Sequence, residues 1–145
     1  MKKRIAFIIN PVSGTKNKAG LPGILRRELD SKQYDDYRIL YTEYKGHGTL
    51  LAAQMVREGY NVVVAVGGDG TVNEVARSLI HTNAELGIIP TGSGNGLSRH
   101  LNIPTNVVKA TQMLNKSEVI KTDYGIVNEK PFFCTCGTGF DAYVS

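Results

Sequence analysis

The sequence has 145 residues, of which 41% are hydrophobic and 21% are charged, and its formal net charge is +4. This composition is typical of a single globular domain with its own core and excludes a disordered chain. The sequence has no apolar run long enough for a transmembrane helix or a signal peptide, and no basic cluster interleaved with aromatic residues. We therefore expect a cytoplasmic protein that does not bind nucleic acid.

Predicted strands and helices alternate along the chain. Aliphatic and β-branched runs predict the strands, and apolar residues at helical spacing predict the helices. In chain order, the pattern predicts a strand at 4–9, a helix at 21–29, a strand at 37–41, a helix at 51–56 ended by Gly59, a strand at 62–66, a helix at 72–80, a strand at 86–89, a helix at 107–114 capped by Thr105, and strands at 119–127 and 131–136. This alternation predicts an α/β fold, with an open, mostly parallel sheet and helices on both faces.

The strongest predicted strand runs directly into the string GGDGT at residues 67–71 and then into a helix. Glycine permits positive φ and close approach of the backbone to a ligand, and the N–H groups at a helix start bind phosphate. Asp69 stands among these glycines. A carboxylate beside phosphates implies a Mg²⁺ ion, or a proton to be taken from an acceptor. The alternative interpretation is an ordinary strand-to-helix connection with a capping aspartate.

Two further glycine-containing loops follow predicted strands. NPVSG at residues 10–14 follows the first strand, and PTGSGNGL at residues 90–97 ends the strand at 86–89. Because the carboxyl ends of parallel strands meet at one edge of a sheet, we expect the three loops to form one phosphate cradle. Lys16, Lys18 and Arg99 lie near these loops, either as phosphate partners or as solvated side chains.

Other sequence signatures of nucleotide or metal binding are absent or incomplete. The sequence has no G-x-x-x-x-G-K-[ST] string and is therefore not a P-loop protein. Residues 137–142 fit G-x-G-x-x-A, but no helix follows them to receive a pyrophosphate. Cys134 and Cys136 have no second pair for a zinc site and are interpreted as buried thiols on one face of a strand.

The three loops together resemble the signature motifs of the diacylglycerol kinase and sphingosine kinase superfamily of lipid kinases. The resemblance rests on NPVSG at 10–14, GGDGTVNEV at 67–75 and GSGN at 92–95. The order and spacing of these strings agree with those of the family's motifs along nearly the whole chain. Residues 137–142 resemble a further family motif, and Thr42 begins a segment similar to the family's nucleotide-contacting loop.

This resemblance implies an NAD kinase/diacylglycerol kinase-like fold that binds ATP and Mg²⁺. The implied reaction is transfer of the γ-phosphate to a hydroxyl of diacylglycerol or a sphingoid base, with peripheral membrane contact. Asp69 becomes the catalytic residue or a carboxylate linked to the metal. The implied ATP contacts are Asn10, Pro11, Ser13, Gly14, Thr42, Gly67, Gly68, Gly70, Thr71, Glu74, Gly92, Ser93, Gly94 and Asn95.

The resemblance also implies that residues 1–145 form the ATP-binding N-terminal domain. In the family, a larger β-sandwich domain follows and completes the cleft. Because the sequence ends on an apolar stretch, we expect a fragment. Without the second domain, we expect this fragment to be inactive alone. A homo-oligomer is compatible with the sequence.

The resemblance leaves two types of acceptor lipid open, because Gly96 replaces an aspartate that bacterial diacylglycerol kinases usually carry after the asparagine. The string GSGNG at residues 92–96 is instead similar to the sphingosine or long-chain-base kinases. Two alternatives remain at this point. One is a soluble nucleotide kinase of the NAD kinase type, and the other is a nucleotide-binding module without turnover.

Overall fold

The computed structural model describes residues 1–14 and 18–133. Four strands and five helices form the main body, and a short hairpin follows it. The elements are β1 (Lys3–Ile9), α1 (Leu21–Glu28), β2 (Tyr34–Tyr41), α2 (His47–Arg57), β3 (Val62–Gly67), α3 (Asp69–Leu79), β4 (Glu85–Pro90), α4 (Gly96–His100), α5 (Val107–Leu114), β5 (Gly125–Val127) and β6 (Lys130–Phe132).

The main sheet has the order β2-β1-β3-β4, and all of its paired strands are parallel. In this order β1 and β3 are the two central strands. Residues 5–9 and 62–66 are buried, as expected for strands that are covered on both faces. The prediction of an open, parallel α/β sheet is confirmed.

Successive side chains of the central strands contribute to two separate cores. Ile5, Phe7 and Ile9 of β1 pack in a core with residues of α1 and α5. Ala6 and Ile8 pack on the opposite face, in a core with residues of α2 and α3. Helices therefore cover both faces of the sheet, as the sequence predicted.

Most boundaries agree with the sequence pattern to within a few residues, and the differences have local causes. Strand β2 begins at Tyr34, three residues earlier than predicted. Helix α4 was not predicted, because its five residues are too few to show a helical repeat. Thr105 was the wrong cap for α5: the side chain of Asn106 accepts a hydrogen bond from the backbone N–H of Lys109.

The predicted C-terminal strands are mostly wrong in extent. Residues 119–124 do not form a strand, and only the short antiparallel pair β5 and β6 is present among the described residues. Asn128 and Glu129 join the pair with φ values of 48° and 66°, which is typical of a type I′ hairpin turn. Cys134, Cys136 and residues 137–142 lie outside the described residues.

Within residues 1–14 and 18–133, no helix is both long and apolar enough to cross a membrane.

Candidate functional site

Three loops meet at the carboxyl edge of the sheet, near the point where the order of strand addition reverses. From β1 the chain continues to β2 on one side, whereas β3 lies on the other side, so the crevice between β1 and β3 is a topological switch point. Backbone hydrogen bonds extend the sheet into the loops. Asn10 N–H donates to the Val66 carbonyl at 3.0 Å, and Thr91 N–H donates to the Gly67 carbonyl at 3.0 Å.

The loops approach each other so closely that several of their positions have room only for glycine. A Cβ atom on Gly14 would lie 2.0 Å from the carbonyl oxygen of Thr91, and one on Gly92 would lie 2.5 Å from the Cα atom of Gly68. A Cβ on Gly67 would lie 2.4 Å from Oγ1 of Thr71. A side chain at Gly14 or Gly92 would therefore force neighbouring loops apart, and one at Gly67 would displace the Thr71 side chain within the same turn.

The expectation of positive φ in the GGDGT turn is wrong. Gly68 has a φ of −90°, and neither Gly67 nor Gly70 has a positive φ. In the loop after β1, by contrast, Gly14 has a φ of +68°. Gly67 and Gly68 therefore serve close packing, the Cβ position of Gly70 is open, and Gly14 serves both packing and backbone conformation.

Polar side chains hold the loop after β1 in place. Asn10 Oδ1 accepts a hydrogen bond from Val12 N–H at 3.0 Å. Lys18 Nζ donates to the carbonyl oxygens of Asn10 and Ser13 and to Ser13 Oγ. Burial lowers the pKa of the Lys18 ammonium group. No carboxylate among the described residues pairs with it, so Lys18 places a partly desolvated positive charge beside the loop.

The loop after β4 is closed by Asn95, which is 4% exposed and has a φ of 55°. Its Oδ1 accepts from Gly92 N–H at 3.1 Å, and its Nδ2 donates to the Gly92 carbonyl at 2.7 Å. Arg99 Nε donates to the Gly94 carbonyl at 2.6 Å. Asn95 and Arg99 therefore shape this loop, while Ser93 and Gly94 are exposed on it.

Asp69 connects the loop after β3 with the loop after β4. It is the first residue of α3, and its Oδ1 accepts from the backbone N–H of Gly96 at 2.7 Å. A Cβ atom on Gly94 would lie 2.8 Å from Asp69 Oδ2. The carboxylate thus lies at the junction of two glycine-rich loops, next to the N-terminus of an eleven-residue helix.

A cleft of about 370 Å³ opens between the loop after β1 and the start of α3. Six of the predicted contact residues line it, and the segment after β2 supplies the opposite wall. The lining residues are Asn10, Pro11, Val12, Thr42, Glu43, Tyr44, Lys45, Gly70, Thr71 and Glu74. Of these, Val12 lies within the predicted loop at residues 10–14, and Glu43, Tyr44 and Lys45 lie within the segment begun by Thr42 that resembles the family's nucleotide-contacting loop.

The remaining predicted contacts lie outside this lining. Gly92, Ser93, Gly94 and Asn95 form the loop after β4, next to Asp69 and Gly68. Gly67, Gly68, Ser13 and Gly14 lie where the loops contact one another. The structure therefore brings the three motifs to one edge of the sheet, with the cleft at the side of the β1 loop.

The donor set suits a cation that is only partly held by protein. No group of three His, Cys, Asp or Glu side chains that could cage a metal occurs in the part of the chain that the structure describes. Magnesium in phosphate sites is commonly bound through one or two carboxylates, with phosphate and water as the other ligands. A single carboxylate at the loop junction, that of Asp69, fits this pattern.

Comparison with known proteins agrees with this geometry. Residues 4–127 match the diacylglycerol kinase catalytic domain family. The diacylglycerol kinase of Staphylococcus aureus (strain bovine RF122 / ET3-1) is 36% identical over 135 residues, and that of Staphylococcus saprophyticus is 34% identical. These matches cover 91% of this chain and 42% and 44% of the relatives, so the chain spans less than half the length of the curated relatives it matches.

A solved structure shares the fold. The crystal structure of a diacylglycerol kinase from Bacillus anthracis str. Sterne is 28% identical and superposes with a TM-score of 0.76, covering 90% of this chain and 48% of that one. The family match covers most of the sequence and includes the loops after β1, β3 and β4. On this evidence the chain belongs to the diacylglycerol kinase catalytic domain family.

Proposed function

We propose that the complete protein is an ATP-dependent lipid kinase and that residues 1–145 form its ATP-binding domain. The proposal goes beyond family membership in naming the donor, the acceptor hydroxyl and the residues that act on them. The family match and the relatives named diacylglycerol kinase support the lipid branch over a soluble nucleotide kinase of the NAD kinase type.

The observation that carries this proposal is the position of Asp69. Its carboxylate lies at the start of α3 and accepts a hydrogen bond from Gly96, so it sits between the two loops that would hold phosphates. Phosphoryl transfer depends mainly on positioning and on neutralising charge. A carboxylate fixed at this point can orient a metal or accept a proton from the acceptor.

Different residues of the chain would bind the phosphates, supply positive charge and take the proton. Backbone N–H groups at the start of α3, including those of Gly70 and Thr71, would bind the phosphates at the positive end of the helix dipole. Lys18 would contribute positive charge beside them. The oxygen of the lipid hydroxyl would bond to the γ-phosphorus while the bond between that phosphorus and the ADP oxygen breaks. Asp69 would take the proton that the hydroxyl loses. Mg²⁺, when bound through Asp69, would neutralise phosphate charge.

The acceptor is proposed to be a hydroxyl of diacylglycerol or a sphingoid base, which requires peripheral contact with a membrane from the cytoplasmic side. A homo-oligomer is compatible with this arrangement. Nucleotide contact is proposed for Asn10, Pro11, Ser13, Gly14, Thr42, Gly67, Gly68, Gly70, Thr71, Gly92, Ser93, Gly94 and Asn95.

Transfer of radiolabel from [γ-³²P]ATP by the complete protein would test the proposal. Extracted lipids, diacylglycerol, a sphingoid base and NAD are offered separately with Mg²⁺, and the products are resolved by chromatography. Label on lipid is the expected result. Label on NAD alone would support the soluble nucleotide kinase, and ATP binding without transfer to any acceptor would support the non-catalytic module.

A further inference from the structure

Helix α2 begins without a cap from its own sequence. Its N-cap residue is Gly46, whose φ is 92°, no side chain caps the helix locally, and no acidic residue occupies its first turn. The first N–H groups of a helix have no partner within the helix and need an acceptor from elsewhere. The N-terminus of α2 therefore depends on another element.

Glu74 of the neighbouring helix α3 supplies that acceptor. Its Oε1 accepts from Gly46 N–H at 2.8 Å, and its Oε2 accepts from Gly48 N–H at 3.0 Å. The backbone carbonyl of Glu74 also accepts from Thr49 Oγ1 at 3.0 Å. A carboxylate at a helix N-terminus is favoured by the helix dipole as well as by these hydrogen bonds.

The residue at position 48 must be small for this cap to form. A Cβ atom on Gly48 would lie 2.7 Å from Glu74 Oε2 and 3.2 Å from its Cβ. Gly48 itself is buried and does not line the cleft. Any effect of a larger residue at position 48 would therefore reach the cleft through Glu74 and the start of α2.

The capped helix start is also the end of the cleft wall after β2. Thr42 fixes the beginning of this wall, because its N–H donates to the Ile9 carbonyl at 2.9 Å. Glu43 N–H donates to Nδ1 of His47, whose ring stacks on Tyr44 with centroids 4.5 Å apart. With Glu74 holding Gly46 and Gly48, the segment from residue 42 to 48 is fixed at both ends.

We infer that Glu74 is a positioning residue: its carboxylate caps α2 and thereby presets the wall formed by residues 42–45 for the nucleotide. This inference rests on the proposed function of the same cleft. Both carboxylate oxygens of Glu74 accept backbone hydrogen bonds from the start of α2, so the carboxylate is fixed by the cap while the residue lines the cleft. Because Glu74 holds the wall of the cleft and the proton transfer is assigned to Asp69, Glu74 affects nucleotide binding and leaves the chemical step unchanged.

The test compares Glu74→Gln and Gly48→Ala in the complete protein. Glutamine retains one acceptor and places an N–H donor against the second amide, so one hydrogen bond of the cap is lost. We expect each variant to raise KM for ATP, and Kd for ATP in calorimetry, by about tenfold, with kcat within about twofold of wild type. Because both substitutions disrupt the same cap, the double variant should be little worse than either single one.

Ser78→Ala is the matched control. Ser78 Oγ donates to the Thr49 carbonyl at 2.6 Å, so this substitution removes an α2–α3 hydrogen bond away from the cleft wall. We expect it to lower the melting temperature without changing KM. Hydrogen exchange should be faster at the amides of Gly46 and Gly48 in Glu74→Gln, and unchanged there in Ser78→Ala.

The outcomes separate the two proposals. If Glu74→Gln lowers kcat with KM unchanged, or if folded Gly48→Ala binds ATP as wild type does, the positioning role is wrong. If the wild-type protein transfers no phosphate to lipid, the proposed function is wrong, and the calorimetric Kd and the exchange rates still decide the role of Glu74.

Discussion

The side-chain hydroxyls of Ser13 and Thr91 lie 2.8 Å apart and hydrogen-bond the loop after β1 to the loop after β4. Thr91 is almost fully buried, and Ser13 Oγ also donates to the Asn10 carbonyl at 3.1 Å. These contacts cross the end of β3, which lies between β1 and β4 in the sheet. The two outer loops are thereby joined above the loop that carries Asp69.

Removing this link should weaken both the fold and nucleotide binding. We expect Thr91→Val to cost about 1 kcal/mol of unfolding free energy, a typical value for one hydrogen bond, and to raise Kd for ATP. A double-mutant cycle with Ser13→Ala, followed by chemical denaturation, measures the pair directly. Strictly additive effects of the two substitutions would show that the hydroxyls do not interact.

Asp69→Asn should abolish most turnover while leaving the fold intact. Asparagine keeps the shape and an oxygen that accepts from Gly96 N–H, and it removes only the charge and the basicity. We expect kcat to fall by about 10²–10⁴-fold, the range for losing a general base, with an unchanged melting temperature. If the folded variant retains more than about a tenth of wild-type turnover, Asp69 is not the catalytic carboxylate.

Gly70→Ala should separate ligand approach from loop packing. A Cβ atom on Gly70 would meet no described residue within 4 Å other than its chain neighbours and its own helix backbone, yet Gly70 lines the cleft at the start of α3. We expect the melting temperature to hold or rise, because alanine favours helix, while titration with ATP shows weaker binding. Unchanged ATP affinity would show that this turn does not bind the phosphates of ATP.

Gly68→Val provides the contrast. A Cβ atom on Gly68 would lie 3.3 Å from the Cα atom of Gly92, and the two γ carbons of valine need further space. This variant should lose stability and ATP affinity together, because it pushes the loop after β4 away. Calorimetry and thermal unfolding of the two glycine variants, measured side by side, distinguish packing from ligand contact.

The acceptor preference follows from position 96, where the backbone N–H binds Asp69. An aspartate there would add a second carboxylate beside the first, and Gly96 leaves the site with one fewer. Because the string GSGNG at residues 92–96 also resembles that of the sphingosine or long-chain-base kinases, we predict that the complete enzyme prefers a sphingoid base or another amino-alcohol lipid to diacylglycerol. Rates in mixed micelles with equal amounts of each lipid measure the preference, and faster turnover of diacylglycerol would contradict it.

The sequence predicted the central sheet well because its signals are local. Residues 62–66 form a continuous β-branched run that is buried on both faces, and residues 72–80 repeat at helical spacing. The end of the chain lacked such signals. The apolar residues Val119 and Ile120 suggested a strand, but both are more than 60% exposed, and no pairing partner is present among the described residues.

The motifs were also predicted to lie at one edge of the sheet, and they do, because parallel strands fix where their loops emerge. What each residue does there was not predictable. Asn95 and Glu74 were predicted as nucleotide contacts from their motifs, but the backbone groups that their side chains bind, at Gly92 and at the start of α2, were not predicted. These contacts join residues that are distant in sequence or depend on an unusual φ, and neither leaves a periodic signal.

The central position of β1 has a consequence for biosynthesis. Residues 5–9 leave the ribosome before their partners in β3, which follow roughly 60 residues later, a delay of about 3–12 s at ~5–20 residues per second. During that interval the fully apolar strand can pair only with β2. Residues 5–9 are therefore a segment that a nascent-chain chaperone would need to shield until β3 emerges.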